Sequence, residues 1–428
     1  MRDYLILGII LLGVPVSIAR PFIGILLWCW VSYMNPHRLT WGIAYDFPAA
    51  MAIGAATLLG FLFTKDKSRL PMERETYLLI CLWILFAGTT IFALSPVGAW
   101  DRLQQVSKIL LMTFATMLLV NTRSKLRILL LTIVLSIGFF GSKGGLFSLR
   151  GGGEDRVYGP TGSFMEDNND FALAVVMVLP SFFYLAREQT KKWFRILLRF
   201  VGAFSILSVI FTYSRGGFVG LASIAAFSLV KSRRKTLAVV LMAIAILAGS
   251  SFIPEEWFQR METIGDVGDE SAAGRINSWH FAWNLAMSRG IFGGGFDTFT
   301  EELFLRYAPD PYDFHAAHSI YFEMLGEHGF LGLTLFLGLL FSTLSTLQGL
   351  QRQFGPRSPS RWINDYAAML QIGLVGYMTS GAFLGRAYFD LSYHLIAATI
   401  ILKVLARKEA LAHASEAGPL GAPVAAAV

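Results

Sequence analysis

Apolar residues come in long runs, roughly 5–34, 48–63, 74–93, 100–120, 125–141, 167–186, 195–212, 216–231, 236–252, 318–346, 362–384 and 390–405, parted by short polar breaks. Most are close to the ~20 residues that a helix needs to cross hydrocarbon. This patterning predicts an all-α, polytopic transmembrane protein of about 12 spans. Composition agrees: 15% of the residues are charged, against about 25% in soluble domains. An ordinary soluble enzyme is excluded, and so is a disordered chain, because nearly all of this one can be buried. The net charge of +7 lies in short clusters between apolar runs, so no nucleic acid is expected as a partner. Cys29 and Cys81 fall inside apolar runs and read as small buried side chains.

Run 5–34 is interrupted by Arg20-Pro21, and proline disfavours an unbroken helix there. It is counted as one kinked crossing, with a short hairpin as the other geometry that fits. Orientation follows lysine and arginine. The breaks Lys65–Arg74, Arg123–Arg127, Arg187–Arg199, Lys231–Lys235, Arg352–Arg361 and Lys403–Lys408 hold 22 of the 36 basic residues and alternate with the others. This predicts both termini on the cytoplasmic side. The longer breaks 142–166 and 254–317 then face outward. Residues 1–409 form a single integral membrane domain carrying 254–317 as a large outer loop. The Ala/Gly/Pro-rich segment 410–428 reads as a disordered cytoplasmic tail. Within the loop, Gly274–Arg289 is expected to be a helix, with Ile276, Trp279 and Trp283 at helical spacing. Tryptophans on one face suit the membrane–water interface.

Basic residues on the outward side run against the positive-inside rule and point to an anion there. Arginine suits phosphate because its planar fork donates two parallel hydrogen bonds. Arg215 stands in Tyr213-Ser214-Arg215-Gly216-Gly217, where the glycines would permit a tight turn and close ligand approach. Arg275 follows Gly274 at the expected start of the loop helix, where free N–H groups favour anions. Arg386, in GRAYFD (385–390), is either a third phosphate contact or the i,i+4 partner of Asp390. Lys143, Arg150 and Arg156 lie in a glycine-rich outer loop and rank below these as phosphate contacts. His318 enters a long span after the outer loop, where a near-neutral imidazole can accept a hydroxyl proton. Glu323 and Glu327 point away from it on a helix. His315 and His318 lack a third ligand for a metal, so no metal and no cofactor is expected. No Walker A loop and no GxSxG elbow is present.

At these residues the chain resembles the O-antigen ligase family, and more loosely the related O-antigen polymerases. The matching stretches are YSRGG (213–217), GRINSWHFAW (274–283), GIFGGGF (290–296) and HSIYFEMLGEHGFLG (318–332). RPFIGILLWCWVSYMNPHRLTWG (20–42) is similar to the exosortase-associated branch of O-glycosylation ligases. The resemblance implies a GT-C-like glycosyltransferase in the bacterial inner membrane, its site facing the periplasm. The implied donor is a glycan on undecaprenyl pyrophosphate. The implied acceptor is a lipid A–core sugar or, in the O-glycosylation branch, a protein hydroxyl. The reaction is expected to be inverting and metal-independent, with Arg215 and Arg275 on the pyrophosphate and His318 as the base. A polymerase is the nearest alternative. A lipid-linked sugar transporter ranks lower, because the candidates lie at one face and not at the bilayer midplane.

Overall fold

The computed structural model describes residues 2–232, 235–236, 257, 261 and 270–416. They form α1 (Arg2–Ala19), α2 (Pro21–Met34), α3 (Ala49–Phe63), α4 (Arg74–Ile91), α5 (Pro96–Leu119), α6 (Arg123–Arg150), α7 (Asn168–Arg187), α8 (Lys192–Ile210), α9 (Arg215–Lys231), α10 (Glu270–Arg289), α11 (Glu301–Tyr307), α12 (Ile320–Gln353), α13 (Arg361–Ser380) and α14 (Asp390–Glu416). No strand occurs among the described residues. Six of these helices, α1, α4, α6, α7, α8 and α12, are long and apolar enough to cross a membrane, and α2 and α3 are shorter apolar helices. The span expected at 236–252 lies, past its first residue, outside the described residues, as do 417–428. Residues 410–416, expected in a disordered tail, instead continue α14.

The N-terminal run departs from the expected kinked crossing. Pro21 opens α2 after Arg20 leaves helical geometry, and the chain folds back as an antiparallel hairpin. A side chain added at Gly13 would meet Leu27 at 3.0 Å, and one at Gly24 would meet Ser17 at 3.0 Å. The hairpin also moves the N-terminus. Ala44 N–H donates to Asp3 Oδ1 at 3.1 Å, Arg2 lies over the Trp41 ring, and Arg38 packs on Gly162. The chain start therefore sits at the end of the bundle that holds the connection before α7. α14 runs the other way, where Lys403 pairs with Glu73 at 2.8 Å and Arg407 also binds Glu73. The start of α1 and the end of α14 thus lie at opposite ends of the bundle, whereas the expectation put both on one side.

Glycines bring the core helices together. A Cβ at Gly217 would stand 2.6 Å from Ala172 of α7, one at Gly376 would stand 2.7 Å from Val176, and one at Gly220 would collide with Ser380 of α13. α7, α9 and α13 thus pack at close range, and α7 is buried along most of its length.

α12 is broken. Gly329 has φ 65° and ψ −165°, a region essentially reserved for glycine. The break frees carbonyls from the helix ladder, and the 290–296 segment supplies the missing partners. Gly294 N–H donates to Gly326 O at 2.9 Å and Gly295 N–H to Glu327 O at 2.7 Å, while Leu331 N–H turns to Ile291 O at 3.4 Å. Gly293, at φ 61°, lies so close that a Cβ would collide with Gly329 N. Gly293→Ala should therefore destabilise the fold by about 1–3 kcal/mol from backbone strain alone, with the clash added. An unchanged thermal midpoint of the detergent-purified variant would contradict this account of the GIFGGGF segment.

Candidate active site

Arg215, Arg275, His318 and Arg386 converge on one end of the bundle, where α7, α9 and α12 begin and α13 ends. Ser214 caps α9, accepting from Gly217 N–H at 3.0 Å, and donates to Asn169 Oδ1 of α7 at 2.7 Å. Arg215 is the first residue of α9, half-buried. Gly216 faces Phe383 and Leu384 of the α13–α14 connection. Gly216 and Gly217 do not form the expected turn: they lie inside the first turn of α9, where Gly217 serves the contact with α7.

Arg275 is also placed differently. α10 begins at Glu270, because Ala272 and Ala273 are strong helix formers, so Arg275 lies in the second turn and not at the free N–H groups. Gly274 is needed for a neighbour: a Cβ there would collide with the His315 ring. α10 is laced to the 308–318 segment. Asn277 Nδ2 donates to Asp310 O and Asp313 O, each at 2.8 Å, Ser278 Oγ to His315 O at 3.1 Å, and Trp279 Nε1 to Ala317 O at 2.9 Å. Trp279 also stacks on Phe322 at 4.9 Å. The two tryptophans thus do not share a lipid-facing role: Trp279 holds α12, whereas Trp283 is 48% exposed. The opposite face of α10 buries Phe281 and Leu285 against Leu303 and Phe304.

This lacing fixes His318, which adopts a left-handed φ of 42° just before Ser319 starts α12. Its ring is exposed at the rim of the bundle end. Flanking protein, then the positive charges of Arg275 and His315, hold it below the ordinary histidine value; Asp167 opposes them and Arg386 adds to them. His315 itself turns to Asp313 at 2.7 Å.

Arg386 is half-buried, and its guanidinium binds Asp170 near the start of α7. Burial opposes its charge, but the Asp170 carboxylate overcomes this and raises its pKa above the ordinary value. Asp390 is not its partner, because α14 begins only at Asp390 and residues 386–389 form a turn without i,i+4 geometry. Asp170→Asn should lower the thermal midpoint by the equivalent of about 2 kcal/mol, reduced from the fully buried value because Arg386 keeps some solvent. The swap Asp170→Arg with Arg386→Asp should recover most of that loss. A swap no more stable than the single variant would remove the pair as a structural element.

Lys143, Arg150 and Arg156 stand apart. α6 runs to Arg150, so Lys143 belongs to an exposed helix face and not to a loop. All three are exposed, and among the described residues no hydrogen bond or ion pair joins them to the cluster. Their loop is anchored nearby through Tyr213 Oη donating to Gly153 O at 2.7 Å.

Sequence reasoning missed Asp167 and Asp170. The signal was present in Asp167-Asn168-Asn169-Asp170, an acidic and amide-rich start to an apolar run, facing the side where arginines collect. It also missed where the α12 glutamates act. Glu327 accepts from Asp297 N–H at 3.0 Å and from the Tyr388 hydroxyl, and Glu323 accepts from Ala387 N–H at 2.9 Å. The Arg102 guanidinium lies over the Tyr388 ring.

Two families match the chain. Residues 1–190 match a family of unknown function (DUF5935), and residues 200–337 match the O-Antigen ligase family. The second match contains Arg215, Arg275 and His318. No curated protein matches the chain.

Proposed function

We propose that this helical protein, whose residues 200–337 match the O-antigen ligase family, is a glycosyltransferase of the bacterial inner membrane. The donor is a glycan on undecaprenyl pyrophosphate, and the acceptor is a hydroxyl of a lipid A–core sugar. The observation that carries this reading is the gathering of one exposed histidine with the charges of Arg275 and Arg386 at a single bundle end, beside the start of α9. A pyrophosphate leaving group needs concentrated positive charge, and an attacking hydroxyl needs a base. Both stand at the same end, which faces the periplasm in this reading.

His318 accepts the acceptor's proton as the hydroxyl oxygen bonds to the anomeric carbon. The bond from that carbon to the phosphate oxygen breaks, and undecaprenyl pyrophosphate departs with the electron pair. Arg215 and Arg275 stabilise its growing charge. Preorganised positive groups aimed at a developing anion are often the largest catalytic term, and here they fill the role a divalent ion has elsewhere. One displacement inverts the anomeric configuration. A lowered His318 pKa suits the role, since the ring is then neutral at pH 7.

The residues 20–42 that resemble O-glycosylation ligases keep a protein hydroxyl as the second acceptor. Liposomes carrying the purified protein and donor, with lipid A–core in one set and an acceptor protein in another, separate these on a gel. A band shift only with lipid A–core supports the reading. A shift only with the protein moves the acceptor, and a ladder of lengthened lipid-linked chains in both sets makes the protein a polymerase.

A further inference from the structure

Glu323 lies one turn into α12 and does not approach His318 along the helix. Its Oε2 instead accepts from Ala387 N–H at 2.9 Å. The residue before Ala387 is Arg386, and the one before that, Gly385, packs on the start of α12. A Cβ at Gly385 would stand 3.5 Å from His318 N and 3.8 Å from Glu323 Oε2. On its other side the same turn is held by Tyr377 Oη, which donates to Arg386 O at 3.0 Å, and by Asp170 on the guanidinium. The charge of Arg386 acts on both His318 and Glu323. One half-buried carboxylate therefore ties the segment that carries His318 to the segment that carries Arg386.

We propose that Glu323 is a positioning residue: by holding the Gly385–Ala387 turn against the start of α12, it sets the separation between the His318 ring and the Arg386 guanidinium. Its catalytic consequence rests on the glycosyltransferase reading, whereas the geometry does not. The residue acts through a hydrogen bond to a backbone N–H, so an uncharged acceptor of the same length serves. Glu323→Gln keeps the hold, Glu323→Ala removes it, and Glu323→Asp keeps the charge but is one methylene too short.

The test follows the His318 titration by NMR in protein with carbon-labelled histidine, the His318 signal being identified by its loss in His318→Gln. When the turn drifts, the positive charge of Arg386 moves away and the His318 pKa rises. Loss of the Glu323 charge alone acts with the opposite sign, because removing a nearby anion favours the neutral ring. Glu323→Asp, which keeps the charge, should therefore raise the His318 pKa in the direction shown by Arg386→Ala, Glu323→Gln should not raise it, and Glu323→Ala should give a higher value than Glu323→Gln. A fall, or no change, in Glu323→Asp overturns the proposal; so does a His318 pKa in Glu323→Ala no higher than in Glu323→Gln. Glu323→Asp supplies the answer should Glu323→Ala fail to fold.

In the transfer assay, Glu323→Ala should lower kcat by about 10–100-fold, the scale of a small misplacement. Glu323→Ala with Arg386→Ala should be no slower than the slower single variant. Multiplicative losses mean that Glu323 acts independently of Arg386 and overturn the proposal. Expected shifts of the His318 titration in a wild-type protein that transfers no glycan would sink the functional reading and leave the positioning role standing.

Discussion

His318→Gln should transfer glycan about 10²–10⁴-fold more slowly than wild type, the usual range for a lost general base, while keeping its thermal midpoint within a few degrees. The residue is exposed at the rim, so stability and activity should separate there. The pH dependence carries the same claim. Desolvation by the flanking protein, followed by the charges of Arg275 and His315, lowers the ring's pKa, and the base works only when neutral. The rate should be full at pH 7 and fall on acidification along a limb below the ordinary histidine value of about 6.5. Arg275→Gln removes one of the charges that lower it and should move that limb upward. An acid limb that stays in place, or one that vanishes only when another residue is changed, would remove His318 from the proton step.

Arg275→Lys should lose about 10²–10³-fold in kcat, the scale of one missing transition-state donor, although it keeps the charge. Lysine is a point charge and cannot present the planar fork that meets two phosphate oxygens at once. The same change at Arg306, which pairs with Glu302 on an exposed face of α11, should be close to silent. Wild-type donor consumption by Arg275→Lys would show that charge alone is needed there, or that the phosphate lies elsewhere. Arg275 is held by the lacing of α10 to the 308–318 segment, so Asn277→Ala, which releases Asp310 and Asp313, should weaken the same step more mildly.

The helical plan and the grouping of basic residues at one end could be read from apolar run length and charge placement, because both are local properties of the chain. What escaped depends on contacts between distant segments. Run 5–34 gives the same hydropathy as a kinked helix or as a hairpin; the packing of Gly13 on Leu27 and Gly24 on Ser17 decides between them. Asp390 is four residues from Arg386, which suggested a helical pair, yet the partner is Asp170, 216 residues away. The glycines at 216–217 and 290–296 were recognisable as special. Their purpose was not, since it lies in helix contacts and in the broken ladder at Gly329. His318, Arg215 and Arg275 could be singled out as candidates because each stands in a short motif next to an apolar run or loop helix. Glu323 could not, because its partner is a backbone N–H on another segment.

The most direct measurement is single-turnover transfer in liposomes containing EDTA, with a defined undecaprenyl-pyrophosphate glycan, lipid A–core, and wild type, His318→Gln or Arg275→Lys protein of matched thermal stability. Glycan transfer by wild type with inverted anomeric configuration, and its loss in both variants, is the predicted result. Transfer undiminished in both variants would contradict the assignment of this bundle end as the active site.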